Sequence, residues 1–173
     1  METLTRAEML GLFTGHSARE LALPDPDAID WGVLDYLGWV HPSGHRAFVV
    51  IPGGQTQHSK SREPSDADPL SYYTGVVLNR SVNRARRPYS QMCAWCHFVH
   101  RSRGAAMFST TVAGTDGRRI IGASLCRDLD CSVRMRNLTG DPPSYMPETL
   151  DLNYKIIRLE NALAMFLARI NRQ

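Results

Sequence analysis

No stretch of the chain approaches the ~20 consecutive apolar residues needed to cross a bilayer, so a spanning helix is not expected. Met1-Glu2-Thr3-Leu4 opens no basic segment followed by an apolar core, the pattern of an export signal. The expected setting is therefore the cytoplasm, where thiols stay reduced. There is no Gly-rich phosphate loop and no G-x-S-x-G elbow, and Pro52-Gly53-Gly54 reads as a plain turn. His41, His45 and His58 fall in a hairpin turn and a polar loop, away from any nucleophile in an identifiable motif, and read as solvated. Internal repeats and low-complexity tracts are also missing. Acids are scarce in the middle of the chain: between Arg80 and Arg136 stand eleven arginines (80, 84, 86, 87, 101, 103, 118, 119, 127, 134, 136) against Asp116, Asp128 and Asp130. The net charge of +3 hides this concentration.

Cysteine is scarce too, and its placement is the most informative feature. The only four form two close pairs, Cys93-Ala94-Trp95-Cys96 and Cys126-Arg127-Asp128-Leu129-Asp130-Cys131. Four thiolates in two short pairs suit a tetrahedral, closed, structural zinc site. Between them lies a hairpin signature: Met107 to Val112, the turn Gly114-Thr115-Asp116-Gly117, then Arg118-Arg119-Ile120-Ile121. A knuckle, a hairpin and a helix start together make a treble-clef finger, with Cys93, Cys96, Cys126 and Cys131 as ligands of one structural zinc ion.

The same residues admit other readings. Cys93 to His97 also spells the C-x-x-C-H of c-type haem attachment, which requires export. A thioredoxin-like redox pair at Cys93 and Cys96 lacks a surrounding βαβ pattern and leaves the second pair unexplained. Two disulfides conflict with a reducing compartment. His97 or His100 in place of one cysteine is a further alternative; the simpler reading is a surface or partner-facing imidazole. In the second pair, residues five apart on one helix lie about 140° apart, too far to share an ion. Cys126 is therefore expected before a helix and Cys131 in its first turn, with Asp128 as N-cap and Cys131 at the third helical position. Asp128 and Asp130 then serve the helix end rather than catalysis.

With 43% hydrophobic residues in 173, the chain is expected to form one α+β domain over 1–173, with the zinc module at about 90–136. Thr5-Arg6-Ala7-Glu8 is a capping box, so a short N-terminal helix is predicted from Thr5 to about Gly15, its Met9, Leu10, Leu12 and Phe13 face turned to the core. Leu34–Val40 and Ala47–Ile51 read as a hairpin around Pro42-Ser43-Gly44, and Pro52–Pro69 as a long polar loop. Tyr73–Leu78 resumes an antiparallel sheet, and Arg80–Arg87 leads to the first cysteines. A long C-terminal helix is predicted from about Pro147 to Asn171, with Ile156, Leu159, Leu163, Phe166, Leu167 and Ile170 in one stripe. Pro147, Glu148 and Asp151 mark its start.

Met92–Cys96, the long hairpin, Gly122–Ser132 and a closing helix with Arg158, Leu159 and Phe166 resemble the C-terminal treble-clef domain of the elongation factor G-binding proteins of the FusB type. The likeness runs from about Asp35 to Phe166, with its specific part at 92–132. It implies a protein that binds elongation factor G and frees it from stalled ribosomes, an activity that confers fusidic acid tolerance in some members. Those resistance proteins also carry an N-terminal helical bundle, which this chain does not show ahead of Asp35.

Two functional classes follow. In the first, a non-catalytic zinc protein binds elongation factor G; four cysteines close the metal, so catalysis there is not expected. In the second, a zinc protein contacts RNA phosphates through its arginines, with Tyr89, Trp95, Phe98 and Phe108 available for base stacking. Compensation of a four-thiolate zinc of net charge about −2 accounts for a few arginines, Arg127 among them, and leaves a surplus. Candidate partner contacts are Trp95 as aromatic anchor, or packed on the knuckle, with Arg118, Arg119, Arg127 and Arg134 as steering charges. No small-molecule substrate and no membrane contact are expected.

Overall fold

The computed structural model describes residues 1–53, 72–81, 90–101, 103–140 and 143–171. Its centre is a five-stranded antiparallel sheet of β1 (Leu37–Val40), β2 (Arg46–Pro52), β3 (Tyr73–Ser81), β6 (Ala105–Thr111) and β7 (Ile120–Cys126), in the order β1-β2-β3-β6-β7. A small second ladder pairs β4 (Gln91–Met92) with β5 (Val99–His100). The helices are α1 (Arg6–Gly11), α2 (Ala18–Leu21), α3 (Cys131–Met135) and α4 (Leu152–Ile170), with 3₁₀ turns at Pro26–Ala28 and Trp31–Val33.

β2 explains the layering. Its run Ala47-Phe48-Val49-Val50-Ile51 is apolar without alternation, the pattern of a strand buried on both faces. Ala47, Val49 and Ile51 pack with α4 and the cysteines, while Phe48 and Val50 pack beneath the N-terminal helices. The N-terminal segment thus covers the sheet face opposite the cysteines. At Gly75 that segment comes so close that an added Cβ would lie 2.5 Å from the Leu12 carbonyl oxygen, so no side chain fits there.

Several sequence expectations hold. The Thr5–Glu8 capping box forms, and Met9 and Phe13 are buried. The same signature at Ser17 and Glu20, not foreseen, starts α2. Gly44 takes a positive φ of 75° in the β1–β2 turn. The predicted loop 52–69 lies outside the described residues from 54 onward, as do Arg84, Arg86 and Arg87. His58 and Tyr89 lie there too.

The C-terminal helix starts later than predicted, at Leu152. Asp151 is its N-cap, its carboxylate accepting the Tyr154 N–H at 3.1 Å. Pro147 and Glu148 precede the helix, and Glu148 instead pairs with Arg158 at 2.8 Å. Leu159, Leu163, Leu167 and Ile170 form the buried stripe; Ile156 and Phe166 flank it half-buried. No helix among the described residues is long and apolar enough to cross a membrane.

Candidate metal centre

The two pairs of sulfurs are delivered by different pieces of local geometry. Cys93 and Cys96 sit on a knuckle between β4 and β5. There the Cys93 N–H donates to the Phe98 carbonyl, the His97 N–H donates to the Cys93 carbonyl, both at 3.0 Å, and His97 adopts a left-handed φ of 59°. Cys126 ends β7, and Cys131 opens α3. The turn between them is not the one predicted. Leu129 takes φ 57° with its N–H on the Cys126 carbonyl at 3.0 Å, which reverses the chain so that both sulfurs converge. A helix cannot run through that residue, so α3 begins only at Cys131, with Asp130 in the N-cap position and no side-chain cap bond. Asp128 therefore is not the cap; it pairs with Arg127 at 3.1 Å.

All four sulfurs are buried and lie within 4.8 Å of one another. Cys93 and Cys131 are 3.7 Å apart, and Cys96 and Cys126 3.5 Å. A tetrahedron with Zn–S of about 2.3 Å has S···S edges of about 3.8 Å, so the set fits one zinc ion with minor adjustment. The Cys126 N–H points at the Cys93 sulfur at 3.4 Å, a donor to a charged thiolate. Burial first, then the three neighbouring thiols, pushes the Cys131 thiol well up. Hydrogen bonds from Cys126, Cys131 and Cys96 hold the Cys93 thiol well down. A cation at the centre of the cluster relieves this conflict, and its binding displaces the retained protons.

The surroundings hold the ligands in place. The Tyr36 hydroxyl donates to the Leu129 carbonyl at 2.7 Å in full burial, and its ring meets Trp95 edge-on at 5.3 Å. Burial, with the nearby cysteine charges, raises the Tyr36 phenol well above its ordinary value and keeps it a donor. Arg136 forks onto Asp35 at 2.7 and 2.9 Å and onto the Ser132 carbonyl at 3.0 Å, tying α3 to the residues before β1. His100 is not a surface imidazole. It is 4% exposed, with Nε2 3.3 Å from the Cys126 sulfur, and it stacks obliquely on Phe98. Gly104 lies so tightly on that ring that a Cβ there would overlap it.

The expected partner contacts divide. Trp95 is 3% exposed, wedged between Tyr36 and Phe166, and so belongs to the core rather than to an exposed anchor. Phe108 is equally buried, which removes it from any stacking platform. Arg134 is buried, paired with Asp130 at 2.5 Å and lying over the Phe98 ring. Arg118, Arg119 and Arg127 are exposed, but Arg119 and Arg127 flank opposite ends of β7, about 25 Å apart along the strand. The arginine concentration seen in the sequence is therefore several separate features. One of them, absent from the sequence argument, is a cavity of about 540 Å³ lined by Arg101, Arg103, Arg127 and Arg134, with Arg101 over the Tyr145 ring.

Among known proteins, a model of the FBP C-terminal treble-clef zinc-finger family matches residues 6–170. The solved structure of the fusidic acid resistance protein FusC is similar, with a TM-score of 0.55 and 16% identity over 99% of this chain. The chain spans 60% of that structure's length. No curated protein matches. With its two cysteine pairs, intervening hairpin and short helix in the required order, the chain belongs to the FBP C-terminal treble-clef zinc-finger family.

Proposed function

We propose that this chain is a non-catalytic binding module that docks on elongation factor G and acts in the elongation and ribosome-release cycle. The observation that carries the reading is the family match over residues 6–170, joined to the likeness of its cysteine and hairpin segments to the elongation factor G-binding proteins. The closed sulfur set supports the non-catalytic part. Four thiolates use every tetrahedral position, so the metal stabilises surfaces instead of activating water. What remains for function is shape and charge, and the exposed pair Arg118 and Arg119 at the β6–β7 turn is suited to steering an acidic partner.

Binding of the zinc-loaded chain to purified elongation factor G, free of RNA, tests this directly. Wild type is expected to bind at micromolar concentration or below. Arg118→Glu/Arg119→Glu is expected to slow association about tenfold at low salt, with the difference shrinking as salt rises. Unchanged melting temperature and zinc content in the variant would exclude a folding effect. Absence of wild-type binding under these conditions contradicts the proposal.

The arginine-lined cavity beside Tyr145 favours a second reading, RNA binding through phosphate contacts. A pull-down with and without nuclease separates the two. A partner bridged by RNA disappears on digestion, whereas a directly bound factor survives.

A further inference from the structure

Among the described residues, the last strand of the sheet, β7, has a paired neighbour on one side only. The Arg119 carbonyl accepts from Val112 and the Arg127 N–H donates to Gly104, both at 2.9 Å. The register between them pairs Ile121 with Thr110 and Ala123 with Phe108. Hydrogen-bonded pairs alternate in an antiparallel ladder, so the odd-numbered residues direct their backbone groups to β6 and Ile120, Gly122 and Ser124 direct theirs outward. The zinc knuckle covers one half of this edge: Ala94 donates to the Ser124 carbonyl at 2.8 Å, and Cys126 donates to the Cys93 sulfur. At the other half, Ile120 and Gly122 are exposed.

Native sheet edges are guarded by charge, proline, bulges or a covering element. Ile120-Ile121-Gly122-Ala123-Ser124 carries neither charge nor proline. Beside it runs a groove of about 330 Å³ between β7 and α4, formed by Ile121, Ala123, Ala162, Met165 and Phe166. Met165 is 67% exposed, so this apolar strip faces solvent, and Ile120, on the opposite face of the strand, is 63% exposed. The groove's net charge is positive. Arg169 lines it together with Arg158, which pairs with Glu148. The Arg118–Arg119 pair stands at one end with Asp116 3.7 Å from Arg118, and none of the groove's described lining residues is a carboxylate.

We propose that the β7 edge from Ile120 to Ser124 is a docking site for an extended segment of a partner protein that presents apolar residues to the α4 side and carries acidic residues at the end beside Ile120. The segment adds as a sixth strand. Its backbone meets the outward groups of Ile120 and Gly122, its alternate apolar side chains lie in the groove against α4, and the carboxylates at its end meet Arg169 and Arg119 beside Ile120. This inference rests on the partner-binding role proposed above but not on which protein supplies the strand.

The test is amide exchange and chemical-shift mapping by NMR on the zinc-loaded chain, titrated with a capped peptide of alternating valine and threonine that ends in two glutamates. The Ile120 and Gly122 amides are expected to shift and to exchange about tenfold more slowly on saturation, as amides do when a ladder bond forms. The same peptide with lysine in place of glutamate should leave them unchanged. Arg169→Glu should weaken binding about tenfold as an opposed charge at the rim. Ile120→Pro, at the strand's first position where proline is tolerated, should abolish binding with zinc content unchanged. Any of three results overturns the proposal: unperturbed β7 amides at millimolar peptide, an equal response to the lysine peptide, or protection without peptide that grows with protein concentration, the mark of a second copy on this edge. Loss of elongation factor G binding with an intact peptide response counts against the partner named earlier and leaves the edge site standing.

Discussion

Removing zinc, by chelation or by Cys93→Ser or Cys131→Ser, is expected to unfold at least residues 90–136 and to yield insoluble or protease-sensitive protein. A structural four-cysteine zinc contributes about 10–16 kcal/mol of apparent binding energy, against a net stability of about 5–15 kcal/mol for a whole domain. The four sulfurs are not an appendage to the core. They are buried in one cluster with Val49, Val76, Phe108, Leu125, Leu159 and Leu163, which joins both halves of the sheet to α4. Without the cation this centre holds four polar thiols in contact, and the Leu129 turn keeps only the Tyr36 hydrogen bond and its packing on Gly38 to hold it in left-handed backbone. Elemental analysis should give about one zinc per chain, the content of a single closed tetrahedral site. Circular dichroism should show the melting transition collapse when zinc is withdrawn. A metal-free preparation with an unchanged melting temperature would refute this.

Trp95→Ala is expected to cost about 3–5 kcal/mol of stability, the range for deleting a large buried aromatic. The indole fills the space between Tyr36 and Phe166 at ring-centroid distances of 5.3 and 5.4 Å, and its own backbone lies between two zinc ligands. The loss should appear as a lower urea midpoint and weaker zinc retention, with Trp95→Phe recovering much of it. Were Trp95→Ala to leave stability unchanged and abolish partner binding alone, the residue would be an exposed anchor after all. Its burial argues for the first outcome.

The parts legible in the sequence are those set by short-range rules. Two tight cysteine pairs around a glycine-rich turn specify the metal module, because ligand spacing and hairpin chemistry are local. The Thr5–Glu8 capping box and the Leu159–Leu163–Leu167 stripe were equally readable, each a consequence of helical geometry. What escaped depends on neighbours far along the chain. Cys131 opens its helix, rather than standing third in it, because Leu129 turns left-handed, and Leu129 is held there by the Tyr36 hydroxyl and by packing on Gly38. His100 is buried because Gly104 leaves room for its ring and Phe98 lies beside it. The arginines looked like one patch because they are near in sequence. An extended strand separates Arg119 from Arg127, and Asp130 and Asp35 occupy Arg134 and Arg136.

In the proposed function, four thiolates close the metal, which then shapes surfaces and carries out no chemistry. X-ray absorption at the zinc edge of the purified chain measures this without reference to partners. Four sulfur scatterers at about 2.3 Å and no lighter atom in the coordination shell are expected. A nitrogen at about 2.0 Å, supplied by His100 in place of a cysteine, or an oxygen marking an open position, would contradict it.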